Sequence, residues 1–303
     1  MAAYQGGPYV APQIDSILRQ THTDWVLRVR DDRSVDGTYE VARRYAAEHP
    51  GRVAAEQRAT NSGSAHRNFL ELLAGSAGQY VMLADDDDVW LEDKVAVTLR
   101  EMRRIEAEAG PGVPVLVHTD LSVVDASLRV VAPSMAHSQR LAVRETRLER
   151  LLVQNSVTGC TVMVNRALAQ MVHEPLDGIA MHDWWLALLA AAFGRIGYVA
   201  TPTVLYRQHG GNTVGANDAR STRYLLGRAL GGGETRARMH AASAQAAALL
   251  ENHGERLTAR QRAAVAACAG LGDRGKLGRL RDVARYGMWK NTALRRLGQV
   301  WFV

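Results

Sequence analysis

Four consecutive aspartates, Asp85 to Asp88, lie between an apolar run and a tryptophan in the stretch YVMLADDDDVW. Neighbouring carboxylates repel one another and raise one another's pKa unless a positive group lies among them. An exposed turn, in which water screens the charges, is one explanation. A divalent cation held by these oxygen ligands is the other. The four residues alone leave both explanations open.

A second acidic pair, Asp31 and Asp32, ends the alternating stretch DWVLRVRDD, which is typical of a β-strand. Strand and helix patterns alternate from the N-terminus to about Val131, and this order predicts an α/β fold with βαβ units and a mostly parallel sheet. Ligands of such sheets bind beyond the carboxyl ends of the strands. Both acidic groups fall at such ends, so we favour a ligand site over an exposed turn.

The positions of the other elements follow from apolar spacing and from capping residues. Helices are predicted in QIDSILRQ, DGTYEVARRYAAEHP, SAHRNFLELLAGSA, LEDKVAVTLREMRRIEAEAG and HDWWLALLAAAFG. Strands are predicted in RVAAEQRA and VPVLVHTDLSVVD, and IGYVATPTVLYRQHGGN is expected to form a pair of strands. From about Asn217 the chain is rich in Ala and Arg and carries no strand signal.

Composition places the protein among globular enzymes or binding domains. Hydrophobic residues make up 47% and charged residues 22%, which argues against disorder. The sequence lacks a membrane-length apolar run and a secretory signal, and it has two cysteines, Cys160 and Cys268, too few for a disulfide framework or a thiolate zinc site. We expect a cytoplasmic protein, with Cys160 packed in the core.

Several motifs in one order carry a resemblance to a known family. They are AAYQGGPYVAPQIDSILRQT, DDRSVDGT, NSGSAHRNF, YVMLADDDDVW, HTDL, NSVTGCTVMVNRAL, MHDWW and YRQHGGN. In this order they resemble the family 2 glycosyltransferases with the GT-A fold, and in particular the bacterial rhamnosyltransferases. The resemblance implies a Rossmann-like GT-A domain over residues 1–215, followed by a basic helical extension over residues 216–303. It also implies that the chain begins inside the first strand of that domain, which would be shortened.

The resemblance assigns roles to individual residues. Contacts to the nucleotide sugar are implied for Ala3, Tyr4, Asp31, Asp32, Asp85 and Asp86. A divalent cation, Mg²⁺ or Mn²⁺, is implied on Asp87 with His209 as a further ligand. Asp183 is the implied base that takes the proton of the acceptor hydroxyl. His182, Trp184 and Trp185 are candidates for the acceptor side or the edge of the site.

Each assignment has a purely structural alternative. Asp32 could cap the following turn, Asp183 could be only a helix N-cap, and His209 could lie in a surface turn. One of the two tryptophans is expected in the core. Two positions depart from the family pattern, because Arg33 stands where glycine is usual and Gln5 where asparagine is more common.

The implied activity is inverting transfer of a sugar, L-rhamnose from dTDP-L-rhamnose or else a sugar from a UDP donor, to a cell-surface glycan or lipid-linked acceptor. A sugar nucleotidyltransferase is a rival, but it would need a cationic phosphate loop that QGGPYVAPQ does not offer. An acidic signalling module is a second rival, and it would need a lysine at a later strand end. No nucleic-acid partner is expected.

The last 87 positions, from Asn217, hold 16 basic and 6 acidic residues, whereas the first 216 hold 21 and 25. The segment from Arg281 to Val303 alternates cations with large apolar residues, a pattern typical of helices that lie on anionic lipid. We therefore expect peripheral contact with the inner face of the plasma membrane. The alternative is a helix that docks its apolar side on the catalytic domain.

Overall fold

The computed structural model describes residues 1–173, 177–209 and 232–302, and these ranges form an α/β fold. The strands are β1 (Ala2–Ala3), β2 (Leu27–Asp31), β3 (Val53–Gln57), β4 (Tyr80–Met82), β5 (Val89–Trp90), β6 (Val115–Val124), β7 (Val130–Ala132), β8 (Met163–Asn165) and β9 (Arg195–Arg207). The catalytic region predicted over 1–215 and the extension predicted over 216–303 meet outside the described residues.

Helices flank these strands and make up the described part of the C-terminal third. They are α1 (Val10–Leu18), α2 (Thr38–Glu48), α3 (Ala65–Ala74), α4 (Lys94–Ala109), α5 (Met135–Ser138), α6 (Leu148–Leu151), α7 (Arg166–Ala169), α8 (His182–Phe193), α9 (Gly232–His253), α10 (Ala259–Ala269), α11 (Lys276–Tyr286) and α12 (Ala293–Phe302). The helices predicted from apolar spacing are all present, and the extension is helical as expected.

The strands form two groups that differ in direction. β1, β2 and β3 pair in parallel, while the larger sheet has the order β4-β8-β6-β9-β5 with β7 beside β6. In the larger sheet only β6 and β9 pair in parallel, and the other described pairs are antiparallel. The fold class is as predicted, but the sheet is mixed rather than mostly parallel. The strand–helix alternation that predicts parallel crossovers ends near Val131, and β8 enters the sheet from loops and short helices instead.

One strand replaces the predicted pair over IGYVATPTVLYR. β9 runs without a turn from Arg195 to Arg207, and its register with β6 shifts where Pro202 faces Asp120. Proline has no N–H to donate and is tolerated at such an irregularity. The predicted pair of strands is thus one continuous strand with an irregularity at Pro202.

The helix α8 lies at the centre of the largest hydrophobic cluster. Its residues Leu186 to Ala190 are fully buried, together with residues of α3 and α6 and with Ala246, Leu249 and Val265 of the extension. A helix that is apolar all round needs packing partners on every side. The extension is therefore part of the same core as the helix that begins with His182 and Asp183.

Candidate active site

The acidic loop lies between β4 and β5 and contacts the first loop of the chain. The carboxylate of Asp86 accepts a hydrogen bond of 2.8 Å from the backbone N–H of Tyr4. A Cβ added to Gly6 would lie 2.3 Å from Oδ2 of Asp86, so this close approach requires glycine. Gln13 donates to the carbonyl of Asp85 at 3.1 Å. These contacts bring the predicted nucleotide residues Tyr4, Asp85 and Asp86 together.

Asp87 and His209 are neighbours in space although 122 positions separate them. Oδ2 of Asp87 lies 2.9 Å from Nε2 of His209. The imidazole stacks on Tyr9 with 4.6 Å between ring centroids. Arg207, at the end of β9, donates from Nε to the carbonyl of Asp87 at 2.8 Å and so joins this strand end to the acidic loop. The structure thus pairs the two predicted cation ligands.

The other three carboxyls of the loop have raised pKa values. Burial, with the charge of Asp87 second, raises the pKa of Asp86 to about 7 and that of Asp88 to about 8. Burial and the charges of Asp88, Asp87 and Asp86 raise the pKa of Asp85 well above its usual range. Carboxyls that hold protons near neutral pH are ones that a divalent cation would stabilise in the ionised form. A carboxylate oxygen beside an imidazole nitrogen is also a suitable donor pair for such an ion.

A second group of potential ligand atoms lies deeper. One atom each of Asp85, Asp88 and Cys160 come within 4.8 Å of one another. Burial raises the pKa of the Cys160 thiol well above its usual range. A protonated, soft sulfur ligand does not suit Mg²⁺ or Mn²⁺. We therefore take Asp87 and His209 as the better cation ligands, and Cys160 as the buried packing residue that the sequence predicts.

Asp31 and Asp32 end β2 beside the first loop. The N–H of Asp32 donates to the carbonyl of Ala3 at 2.8 Å. The Asp32 carboxylate accepts from the N–H and the hydroxyl of Ser62 at 2.7 and 2.6 Å. The Asp31 carboxylate accepts from Ser34 and Gln57, and its other oxygen is buried with no hydrogen-bond partner in the described part of the chain. Asp31 and Asp32 thus lie beside Ala3, the arrangement expected of a nucleotide pocket.

Asp183 is buried near the N-terminus of α8. Its carboxylate accepts hydrogen bonds from the N–H groups of Trp184 and Gly159 and from the side chain of Asn155. Burial nevertheless dominates and raises the pKa of Asp183 to about 6. Asp183 lies on the side of the acidic loop: Gly159 abuts His182, and the next residue, Cys160, offers an atom within 4.8 Å of carboxylate oxygens of Asp85 and Asp88. A general base works best when its pKa lies near the operating pH, and Asp183 meets that condition.

The three residues placed at the edge of the site from the sequence pack in the core. Trp185 is buried, and Trp184 is buried with its Nε1 donating to the carbonyl of Leu151 at 2.6 Å. Contrary to expectation, neither indole offers a free face to a sugar. His182 stacks on Phe69 with 4.2 Å between ring centroids, and burial lowers the pKa of His182 to about 3. A neutral, enclosed ring of this kind is packing rather than site edge.

Gly159 is a site residue that sequence reasoning did not single out, although its motif NSVTGC was recognised. It begins a short 3₁₀ helix, Gly159–Thr161, which donates an N–H to Asp183 and places the Cys160 thiol beside Asp88. A Cβ added to Gly159 would lie 2.5 Å from Nε2 of His182. The segment that begins at Gly159 thus contacts both Asp183 and the acidic loop. Its lack of a side chain is the signal that could have indicated a close approach.

We expect Gly159→Ala to destabilise the fold by about 1–3 kcal/mol, because the added methyl group must displace the His182 ring from Phe69. The shift also disturbs the N–H that Asp183 accepts, so turnover should fall more than nucleotide affinity. Urea unfolding and steady-state rates measure the two effects. Gly254→Ala is the matched control, since no atom lies within 4 Å of its added Cβ. Equal stability of the two variants would contradict the proposed contact.

Comparisons with known proteins bear on the family and the fold. Residues 1–122 match the family described as Glycosyl transferase family 2. The chain is 24% identical over 236 residues to "dTDP-rhamnosyl transferase RfbG" of Shigella flexneri, an alignment that covers 74% of this chain and 76% of the relative. It is 22% identical over 190 residues to "UDP-Glc:alpha-D-GlcNAc-diphosphoundecaprenol beta-1,3-glucosyltransferase WfgD" of Escherichia coli, covering 62% of this chain and 68% of the relative.

Among solved structures, that of S. aureus TarS 1-349 in complex with UDP superimposes with a TM-score of 0.55 at 14% identity. The superposition covers 96% of this chain and 91% of TarS 1-349. A likeness at this identity shows the shared GT-A fold. The match over residues 1–122, the relative named a rhamnosyl transferase and this fold together support a family 2 glycosyltransferase related to the rhamnosyltransferases.

Proposed function

We propose that the protein is an inverting glycosyltransferase in which Asp183 is the base and a divalent cation on Asp87 and His209 holds the donor diphosphate. The observation that supports this most is the position of Asp183 beside the acidic loop. Cys160 offers an atom within 4.8 Å of carboxylate oxygens of Asp85 and Asp88, and its neighbour Gly159 lies against His182, the residue before Asp183. A base for the acceptor and a site for the leaving diphosphate have to lie on either side of one reacting carbon. The sugar nucleotidyltransferase and the signalling module explain no base in this position.

In the proposed reaction an acceptor hydroxyl attacks the anomeric carbon of the donor. A bond forms between the acceptor oxygen and this carbon while the bond to the diphosphate oxygen breaks, so the configuration at the carbon inverts. The hydroxyl proton passes to the carboxylate of Asp183. Because Asp183 is buried and has a pKa of about 6, it is ionised but still basic near neutral pH.

The leaving nucleoside diphosphate is bound on the other side. When bound, Mg²⁺ or Mn²⁺ stabilises negative charge on the diphosphate as a Lewis acid. Asp87 and His209 would hold the ion, and Asp86 fixes the first loop through Tyr4. Ala3, Asp31 and Asp32 form the adjoining pocket for the nucleoside.

We propose dTDP-L-rhamnose as the donor, on the similarity to the relative named a dTDP-rhamnosyl transferase. A UDP-sugar is the second candidate, since the E. coli relative is named for UDP-Glc and TarS 1-349 was solved with UDP. Incubation of the purified protein with a panel of nucleotide sugars, with release of the nucleoside diphosphate as the readout, separates the two. If the protein hydrolysed neither dTDP-L-rhamnose nor any UDP-sugar, the proposed activity would be wrong.

The proposed acceptor is a lipid-linked glycan, as in the name of the E. coli relative, reached at the inner face of the plasma membrane. Among the described helices none is long and apolar enough to cross a bilayer. The end of the chain instead has an exposed face, which we call the tail surface, made of Lys276, Leu277, Leu294, Leu297 and Trp301. Lys276 donates to the carbonyl of Trp301 at 3.2 Å, which places the start of α11 beside the end of α12.

Both alternatives for the tail have support in the structure. Val283 and Met288 are fully buried and Asn291 donates to Gln154, so this part is docked on the catalytic region. Leu297 and Trp301 remain mostly exposed, at 68% and 75%. Apolar groups flanked by cations suit an anionic lipid surface. A deletion from Arg281 would remove the buried Val283 and Met288, so point variants are the better test.

We expect Leu297→Glu combined with Trp301→Glu to weaken binding to phosphatidylglycerol vesicles by at least about tenfold, since burying each apolar side chain is worth about 1.5–3 kcal/mol. Binding of the unaltered protein should also weaken at high salt. Sedimentation with vesicles measures both effects, and activity on a soluble acceptor should persist. Val26→Glu, at another exposed apolar position, is the control. If the unaltered protein does not bind vesicles, the tail surface has no role at the membrane.

A further inference from the structure

The loop that leads into α8 rests on the first helix of the extension. Gly178 has a φ of 79°, and a Cβ added there would lie 3.4 Å from the carbonyl oxygen of Ala244 and 3.5 Å from Cβ of Ala248. Ile179, the next residue, is buried. The loop from Gly178 to Met181 therefore lies directly on α9.

Gln245 joins this loop to α9 by hydrogen bonds. Its Oε1 accepts from the N–H of Ala180 at 3.0 Å and from the N–H of Met181 at 3.1 Å. These are the two residues immediately before α8, and Met181 is its N-cap without a capping side chain. The side chain of Gln245 is fully buried in an otherwise apolar environment. A buried amide is costly unless it is hydrogen-bonded. The two N–H groups satisfy its oxygen, whereas its Nε2 is buried with no hydrogen-bond partner among the described residues.

The same extension also holds the other end of α8. Nε2 of Gln261, at the start of α10, donates to the carbonyl of Ala192 at 2.9 Å. The two contacts are roughly 16 Å apart, given a rise of 1.5 Å per residue. Of these two contacts, only that of Gln245 is close to Asp183, because Asp183 follows Met181 by two residues.

We propose that Gln245 is a positioning residue for Asp183: by holding Ala180 and Met181, the extension sets where the carboxylate enters the site. This inference rests on the proposed role of Asp183 as the base. A displacement of about 1 Å at a reacting group can cost 10²-fold in rate, so the anchor of this loop has a catalytic consequence. The C-terminal third is then part of the catalytic apparatus rather than an appended surface.

The test compares two variants that keep side-chain length and remove a hydrogen bond, Gln245→Met and Gln261→Met, in the full chain. The readouts are the rate of nucleoside diphosphate release from dTDP-L-rhamnose or UDP-glucose and the affinity for dTDP or UDP. We expect Gln245→Met to lower kcat by at least about tenfold with unchanged nucleotide affinity, whereas Gln261→Met lowers stability and keeps kcat. Hydrogen exchange at Ala180 and Met181 should accelerate in the first variant alone.

Gln245→Glu keeps an oxygen acceptor at the same reach and should restore most of the rate. If Gln245→Met does not fold, Gln245→Asn withdraws the acceptor by one methylene group and is measured in its place. Equal kcat values for the two methionine variants would overturn the proposal. If instead Asp183→Asn leaves the rate unchanged, the proposed base is wrong and the fault lies with the mechanism rather than with the anchor.

Discussion

The Asp87→Ala enzyme is expected to keep its fold and to lose sugar transfer by at least about 10³-fold. The change removes the carboxylate that lies 2.9 Å from His209, and Lewis-acid stabilisation of a leaving diphosphate is worth several kcal/mol. The change also removes the repulsion between the Asp87 charge and the carboxyls of Asp85, Asp86 and Asp88, so thermal stability should not fall. Rates at saturating donor and thermal unfolding measure the two outcomes.

Asp93→Asn is the matched control, because Asp93 is an exposed acid at the end of the same segment and its side chain makes no capping hydrogen bond. Titration with Mn²⁺, followed by calorimetry in the presence of dTDP or UDP, should show an ion bound to the control and not to Asp87→Ala. Full activity in EDTA would contradict the proposed need for a divalent cation. Full activity of Asp87→Ala with a retained Mn²⁺ requirement would move the ion to other ligands.

The second large effect is expected for Asp183→Asn, which should retain nucleotide affinity and lose turnover by at least about 10²-fold, the scale for a general base. Asparagine keeps the shape of the carboxylate but cannot take up the acceptor proton. Asp177→Asn is the control, since Asp177 lies six positions earlier and its side chain is 87% exposed. A collapse of nucleotide affinity in Asp183→Asn would place this residue in the donor site instead.

The pH profile gives an independent reading of the same carboxyl. Burial raises the pKa of Asp183 to about 6, and the base has to be ionised to act. The rate should therefore rise with pH through about 6 and level off above it, falling tenfold for each unit below. In Asp183→Asn this limb should disappear while the small residual rate remains.

The parts of the molecule that follow from local patterns could be predicted from the sequence. The apolar spacing of SAHRNFLELLAGSA and the continuous apolar run of HDWWLALLAAAFG identify α3 and α8, because periodicity is a property of the segment itself. Strand direction depends on pairing between distant segments, and the antiparallel pairing of β8 with β4 and β6 is not written in any one of them. The bulge at Pro202 is of the same kind, since it needs β6 as a partner.

The candidate site divides in the same way. The acids of the loop after β4 could be found because charge at a strand end is a local signal. The burial of Trp184 and Trp185 could not be predicted, since two tryptophans after a histidine and an aspartate can either stack on a sugar ring or pack in the core. Gly159 and Gln245 were missed for a related reason, because each contacts a segment far away in the sequence. Gly159 gives its N–H to Asp183, and Gln245 accepts from Ala180 and Met181, yet neither residue type is rare enough to attract notice.

The burial of α8 on all sides has a consequence for biosynthesis. Synthesis delivers the N-terminal parts of a protein first, so the ribosome completes α8 before it adds the helices that follow Gly232. Until then Trp185 and Phe193 of α8 lack the His253 ring that packs beside them, and the loop before Asp183 lacks its hydrogen bonds to Gln245. A chain that ended soon after α8 would expose apolar surface of this helix to the cell. With the proposed role of Gln245, the order of synthesis delays activity until the helices that follow Gly232 have been made.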